Sequence, residues 1–141
     1  MEPNGEFELL DHPADIGFRA FGDTQADLFA NCAAALLWIA CDTSGIRPDN
    51  RYRLWVSGSD TESLLVDWLN EVLYWFDGKR VALQSFQIDH LDDTSLIATA
   101  LGEPRDPERH RGKTIVKGVT YHQLRVAEQD GRWLAEVFLD V

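Results

Sequence analysis

At 141 residues the chain is long enough for one domain with a sizeable core. Hydrophobic residues make up 45% of it and five residues are tryptophan, which excludes a globally disordered chain. The formal net charge of -11 repels nucleic-acid phosphate at long range, so direct high-affinity RNA or DNA binding is not expected. A divalent cation or a basic partner protein suits that charge better, and acidity that confers only solubility suits it equally well.

In chain order, residues 7–10 read as a short strand. Residues 16–21 alternate Ile16, Phe18 and Ala20 against Gly17, Arg19 and Phe21, a second strand half-buried on both faces. Gly22 and Asp23 break it. Thr24 is placed to cap a helix, with Asp27 as its capping-box partner. Leu28, Cys32, Leu36 and Ile39 then repeat at helical spacing until small polar residues and glycine gather at 42–45. Residues 51–56 make a third predicted strand, with Tyr52, Leu54 and Val56 on one face and Trp55 on the other. Ser59 or Asp60 caps a second helix, with Glu62 or Ser63 at its third position. Leu65, Trp68, Leu69, Val72 and Phe76 form its apolar stripe, and Asp77-Gly78 ends it.

Residues 81–91 and 95–101 read as a hairpin turned at Asp92-Asp93. Charge, two prolines and a glycine make 103–113 an irregular segment. Residues 119–127 and 133–139 flank Gln129-Asp130-Gly131, a hairpin turn, and a change of phase at His122-Gln123 predicts a bulge. Gly22-Asp23-Thr24 before Leu28, Leu36 and Trp38 echoes Ser59-Asp60-Thr61 before Leu65, Leu73 and Trp75. A duplicated strand–turn–helix unit and a chance likeness of two amphipathic helices both account for that echo.

The expected fold is α+β: a two-layer α/β sandwich whose mixed sheet carries two main helices on one face, in a single domain over residues 1–141. Strands outnumber helices, which argues against a doubly wound nucleotide-binding fold. Cys32 and Cys41 lack CxxC spacing and a Cys/His set for zinc, so buried free thiols in a reducing compartment are expected. The N-terminal residues lack a signal-peptide pattern, and the longest apolar stretch, 33–41, is too short to span a bilayer. Cytoplasmic residence without membrane attachment is the expectation.

Two acidic stretches stand out. Asp11-His12-Pro13-Ala14-Asp15 precedes the second strand, and Asp140-Val141 follows the last one. Asp15 and Asp140, with the carboxylate of Val141, make a candidate oxygen site for a hard cation: calcium, magnesium or manganese. Asp11 and His12 are possible additional ligands. Local turn hydrogen bonds and a frayed acidic terminus are the plain alternatives. Lys117-Gly118-Val119-Thr120-Tyr121-His122 combines a cation, a hydroxyl, a phenol and an imidazole, which suits docking to phosphate or an acidic group, or simply an edge strand. Lys117 and His122 have no partner at nucleophilic-triad spacing. Gly112-Lys113-Thr114 is a fragment of a phosphate-binding loop that lacks its first glycine. Glu62, Asp67, Asn70 and Glu71 suit a solvated helix face better than a recognition surface, and His90 beside Asp89, Asp92 and Asp93 suits turn chemistry.

Taken together, residues 7–17 (Phe-Glu-Leu-Leu-Asp-His-Pro-Ala-Asp-Ile-Gly), residues 64–74 and Lys117–His122 followed by Leu139-Asp140-Val141 resemble the archease family in order and across nearly the whole chain. Many relatives carry threonine where this chain has Pro13. The resemblance implies a non-catalytic protein that activates an RtcB-type RNA ligase. It implies faster guanylylation and multiple turnover of that ligase in tRNA splicing or RNA repair, with a divalent metal held by Asp15 and Asp140. Asp11, His12 and Val141 follow less directly. Read without the resemblance, the same carboxylates also fit a standalone metal-dependent phosphate-ester hydrolase, or an interaction domain with a structural cation.

Overall fold

The computed structural model describes residues 6–11 and 16–141. Its elements run β1 (Phe7–Asp11), β2 (Ile16–Gly22), α1 (Gln25–Ala40), β3 (Asn50–Ser57), α2 (Thr61–Asp77), β4 (Val81–Leu91), β5 (Ser95–Pro104), β6 (Gly118–Gln129) and β7 (Arg132–Asp140). The α+β class and the packing of two main helices against the sheet strands agree with the sequence. The strands are shared between two sheets, β1-β2-β7-β6 and β3-β5-β4, and their paired neighbours are antiparallel.

Both helices begin where their caps dictate. Thr24 accepts a hydrogen bond from the Asp27 N–H at 3.0 Å. Asp60 and Ser63 close a full capping box on α2. α1 packs on β2 of one sheet and β4 of the other, and α2 packs on β6 and β3. α1 is therefore apolar around most of its circumference, with Leu28, Phe29, Cys32, Leu36 and Ile39 all buried. Cys32 and Cys41 are buried free thiols, and burial pushes Cys41 up to about 11.

Gln129 pairs with Arg132 across a two-residue turn in which Asp130 and Gly131 both have positive φ, as a primed hairpin turn requires. The bulge expected at His122-Gln123 is present: the β6–β7 register shifts between Thr120 and Arg125, and Gln123 has φ 55°. The strand–turn–helix echo has a different phase from its sequence likeness. The two N-caps are Thr24 and Asp60. Gly22 and Gly58 each lie against the backbone of the sixth residue beyond, Leu28 and Leu64, at 2.3 and 2.8 Å from where a Cβ would stand. A side chain at either glycine would collide with the helix it introduces.

The stretch read as irregular is an ordered clasp. β5 extends to Pro104, and buried Glu103 accepts hydrogen bonds from the Arg47 N–H (2.8 Å), Arg109 Nη1 (2.7 Å) and Nη2 (2.8 Å). His110 is fully buried; its Nδ1 accepts from the Asp106 N–H, so its Nε2 donates to Glu103 at 2.9 Å. Arg109 also donates to the Gly45 carbonyl. The network ties the 42–47 connection to the 103–113 connection.

The Arg109 hydrogen bonds hold the Glu103 carboxyl well below the usual carboxylate range. A depressed folded pKa contributes stability above the unfolded value of about 4.3, and that contribution is lost as pH falls through the folded value. Hydrogen bonds from Ser44, Thr94 and Glu108 depress Asp42, Asp92 and Asp106 in the same direction. Glu103→Gln is therefore expected to lower stability at neutral pH and to flatten part of the acid fall in melting temperature below about pH 4. A melting series across that range checks it; an unchanged acid limb would contradict the assignment.

Candidate functional site

The end of the first sheet that carries the candidate residues is built by register. β7 is an inner strand, flanked by β2 and β6. Ile16 pairs with Asp11 on one side and with Leu139 on the other, and Leu139 pairs in turn with Val119. One row thus crosses all four strands: Asp11, Ile16, Leu139, Val119. Asp140 stands one step beyond that row, paired with Gly118, and its carbonyl accepts the Lys117 N–H at 2.7 Å. Asp11 and Ile16 are also the two ends of the β1–β2 connection.

Burial explains why this end holds its shape. Val137, Phe138 and Leu139 are all buried. Gly17 pairs with Phe138, and a Cβ there would fall 2.6 Å from the Phe138 ring, so the glycine lets the ring lie across β2. Further along, Arg19 joins three strands. It donates to Glu136 on β7 (Nε, 3.0 Å) and to Glu8 on β1, and the Glu136 bond leads in raising the guanidinium's pKa. From the helical side, Asn70 on α2 accepts the Val119 N–H at 3.0 Å through its Oδ1. Asn70 pins the start of β6 and is engaged rather than merely solvated. Its position on the α2 face that meets β6 carries no signal in a single sequence.

The predicted site residues divide accordingly. Asp140 and Val141 are exposed at the end of β7. Among the described residues no side chain partners the Asp140 carboxylate, which leaves a hard oxygen donor available. Lys117 is exposed beside it and borders an open groove with Asn70, Leu73 and Tyr74. Asp11 ends β1 in the same row. His12 and Asp15 lie outside the described residues. His122 is exposed in the bulge, four residues beyond Gly118, the pairing partner of Asp140. Among the described residues no group of three or more His, Cys, Asp or Glu side chains is arranged to hold a metal ion. Glu71 is engaged rather than free, accepting Trp75 Nε1 at 3.0 Å. His90 meets Asp92 at 2.9 Å within the turn.

Comparison with known proteins places this geometry. A model of the Archease protein family matches residues 7–141. The chain is 37% identical over 140 residues to the protein archease of Methanosarcina barkeri, covering 96% of each chain. It is 35% identical over 138 residues to that of Methanopyrus kandleri, covering 96% of this chain and 99% of the relative. The solution structure of protein 1598 from Methanobacterium thermoautotrophicum superposes with a TM-score of 0.79 at 35% identity, covering 96% of this chain and 99% of that one. A crystal structure from Thermotoga maritima, described as an archease and possible chaperone, shares the fold with a TM-score of 0.67 at 22% identity and 94% coverage of both chains.

Proposed function

Because the chain belongs to the archease family, we propose that it activates an RtcB-type RNA ligase through a divalent-metal site at the end of the first sheet, promoting guanylylation and multiple turnover in tRNA splicing or RNA repair. Family membership is consistent with the ligase-activator role, and archease proteins are generally non-catalytic cofactors. The observation that carries the siting is the row Asp11, Ile16, Leu139, Val119. It supports the reading because Asp11 and Ile16, the described residues that flank His12 and Asp15 in the chain, stand at the end of the sheet where Asp140 stands.

In this proposal Asp15, Asp140 and the carboxylate of Val141 hold calcium, magnesium or manganese, with Asp11 and His12 as further ligands. Carboxylates gathered there repel one another, and a bound divalent cation would offset that repulsion. The Asp140 backbone is fixed between Gly118 and the Lys117 N–H, so its carboxylate is presented from a rigid strand end. Lys117 borders the same end and orients docking on the ligase; His122 contributes to docking from the bulge. A cytoplasmic, reducing location completes the proposal, with Cys32 and Cys41 as inert thiols.

The test is a guanylylation and multiple-turnover ligation assay of a cognate ligase with and without this chain, at controlled metal concentration. Acceleration of both steps supports the proposal. Turnover of a phosphate ester by the chain alone, abolished by chelation, would replace it with the hydrolase reading. Metal-dependent folding with unchanged ligase kinetics would replace it with a structural cation.

A further inference from the structure

The outer face of the second sheet carries chemistry that the ligase reading does not use. The helices cover the inner face, where Leu54, Leu96, Ala98 and Ala100 are buried. Along β3 the opposite parity presents Arg51, Arg53 and Trp55, all exposed, with Trp55 at 70%. Alternate residues on one strand face stand about 7 Å apart, so the three form a continuous line. Among the described residues neither arginine has a hydrogen-bond or ion-pair partner. That is unusual in a chain with 24 acidic residues against 13 basic ones. Register sets a mixed floor beside the line: Arg53 pairs with Thr99, which pairs with Gln87, while Arg51 and Trp55 pair with Leu101 and Ile97.

A carboxylate also stands on this face. Asp89 on β4 accepts from Thr99 Oγ1 at 2.6 Å and from Gln87 Nε2 at 2.9 Å. It is two strand spacings from the arginine line, about 10 Å, which is roughly a Debye length in physiological salt.

We propose that this face binds a single-stranded nucleic acid, with backbone phosphates on Arg51 and Arg53 and a base stacked on Trp55. An exposed indole on a flat sheet is a stacking surface for a base, and guanidinium forks match phosphate oxygens. The line is short and the whole molecule is acidic, so binding is of modest affinity and depends on salt through two phosphate contacts. That is compatible with the absence of high-affinity binding expected from net charge. The proposal is independent of the ligase activity, and its test contains no ligase.

Fluorescence anisotropy of labelled oligouridylate and oligodeoxythymidylate, each roughly ten nucleotides long, measures it on the full chain across a salt series. Two phosphate contacts predict a slope of about -1.4 in log affinity against log salt, since each contributes about -0.7 on a single strand. Arg51→Gln and Arg53→Gln are each expected to reduce the slope by about 0.7. Trp55→Ala is expected to weaken binding by about 5-fold to 100-fold with the slope retained, and Trp55→Phe to restore most of it. Tighter binding of the ribo-oligomer assigns the face to RNA; equal binding assigns it to single strands of either sugar. All three side chains replaced are exposed, and melting curves confirm that the four variants fold. Two results would overturn the proposal: no binding of either oligomer at low salt, or displacement by polyglutamate of a ligand indifferent to Trp55→Ala, which would point to an acidic partner protein.

Discussion

With Asp140→Asn in place of the natural chain, acceleration of ligase guanylylation is expected to fall by about 10-fold to 100-fold at limiting metal, with no change in melting temperature. The stability side follows from position. The Asp140 side chain is exposed, while its backbone is held by pairing with Gly118 and by the Lys117 N–H. Asparagine keeps those backbone bonds and most of the shape. It removes a negative charge and one hard oxygen ligand, so affinity for a divalent cation drops. Raising the metal concentration should recover part of the loss. Asp23→Asn is the matched control, an exposed carboxylate just past Gly22, which pairs with Trp133 at the far end of the same sheet; it is expected to leave activation unchanged. Full activation by Asp140→Asn at both limiting and saturating metal, in a folded protein, would remove the metal site from the mechanism.

Trp68→Ala is expected to cost about 3–5 kcal/mol, a large share of the stability of a domain this size. Trp68 has no exposed surface and joins three elements. It stands on α2, its Nε1 donates to the Phe29 carbonyl of α1 at 3.0 Å, and its ring meets Phe86 of β4 edge to face at 5.9 Å. Truncation leaves a cavity between the helices and the second sheet and removes an aromatic pair. Melting temperature should fall by about 10–20 °C. Trp68→Phe keeps most of the volume and loses the hydrogen bond, so its cost should be nearer about 1 kcal/mol. Chemical denaturation of the two variants checks the ratio; equal, small losses in both would show that the site collapses around the missing ring.

The local elements were legible because local rules decide them. Alternation marked β2, β3 and β7, and Asp60 with Ser63 marked the start of α2. The positive φ of Gln123 sits where the apolar phase changed. What the sequence did not disclose depends on distant partners. The clasp at Glu103 is ordered by Arg47, Arg109 and the Gly45 carbonyl, none of which follows a periodicity. Division into two sheets is a matter of pairing, and a strand's pattern specifies its faces rather than its neighbours. The echo between the two helices matched Thr24 with Thr61, yet Thr24 is a cap and Thr61 the first helical residue. Identity of side chain and identity of role differed by one position.

The candidate site divides in the same way. Strand alternation puts Asp140 on the face opposite Leu139, and its exposure comes from its place at the end of the strand, since Phe138 on its own face is buried. That Asp11 and Asp140 stand at one end of one sheet follows from the order β1-β2-β7-β6, which no spacing in the chain encodes.

That strand order has a temporal consequence. β7 is the last strand in chain order and yet it lies between β2 and β6, with Arg19 and Glu136 meeting across 117 residues. During synthesis the amino-terminal hairpin and β6 have nothing to bridge them until β7 is translated and inserts. Closing so wide a chain loop is slow relative to forming either helix. The Asp140 end is thus completed among the final steps of folding, and a truncated or unfinished chain cannot display it.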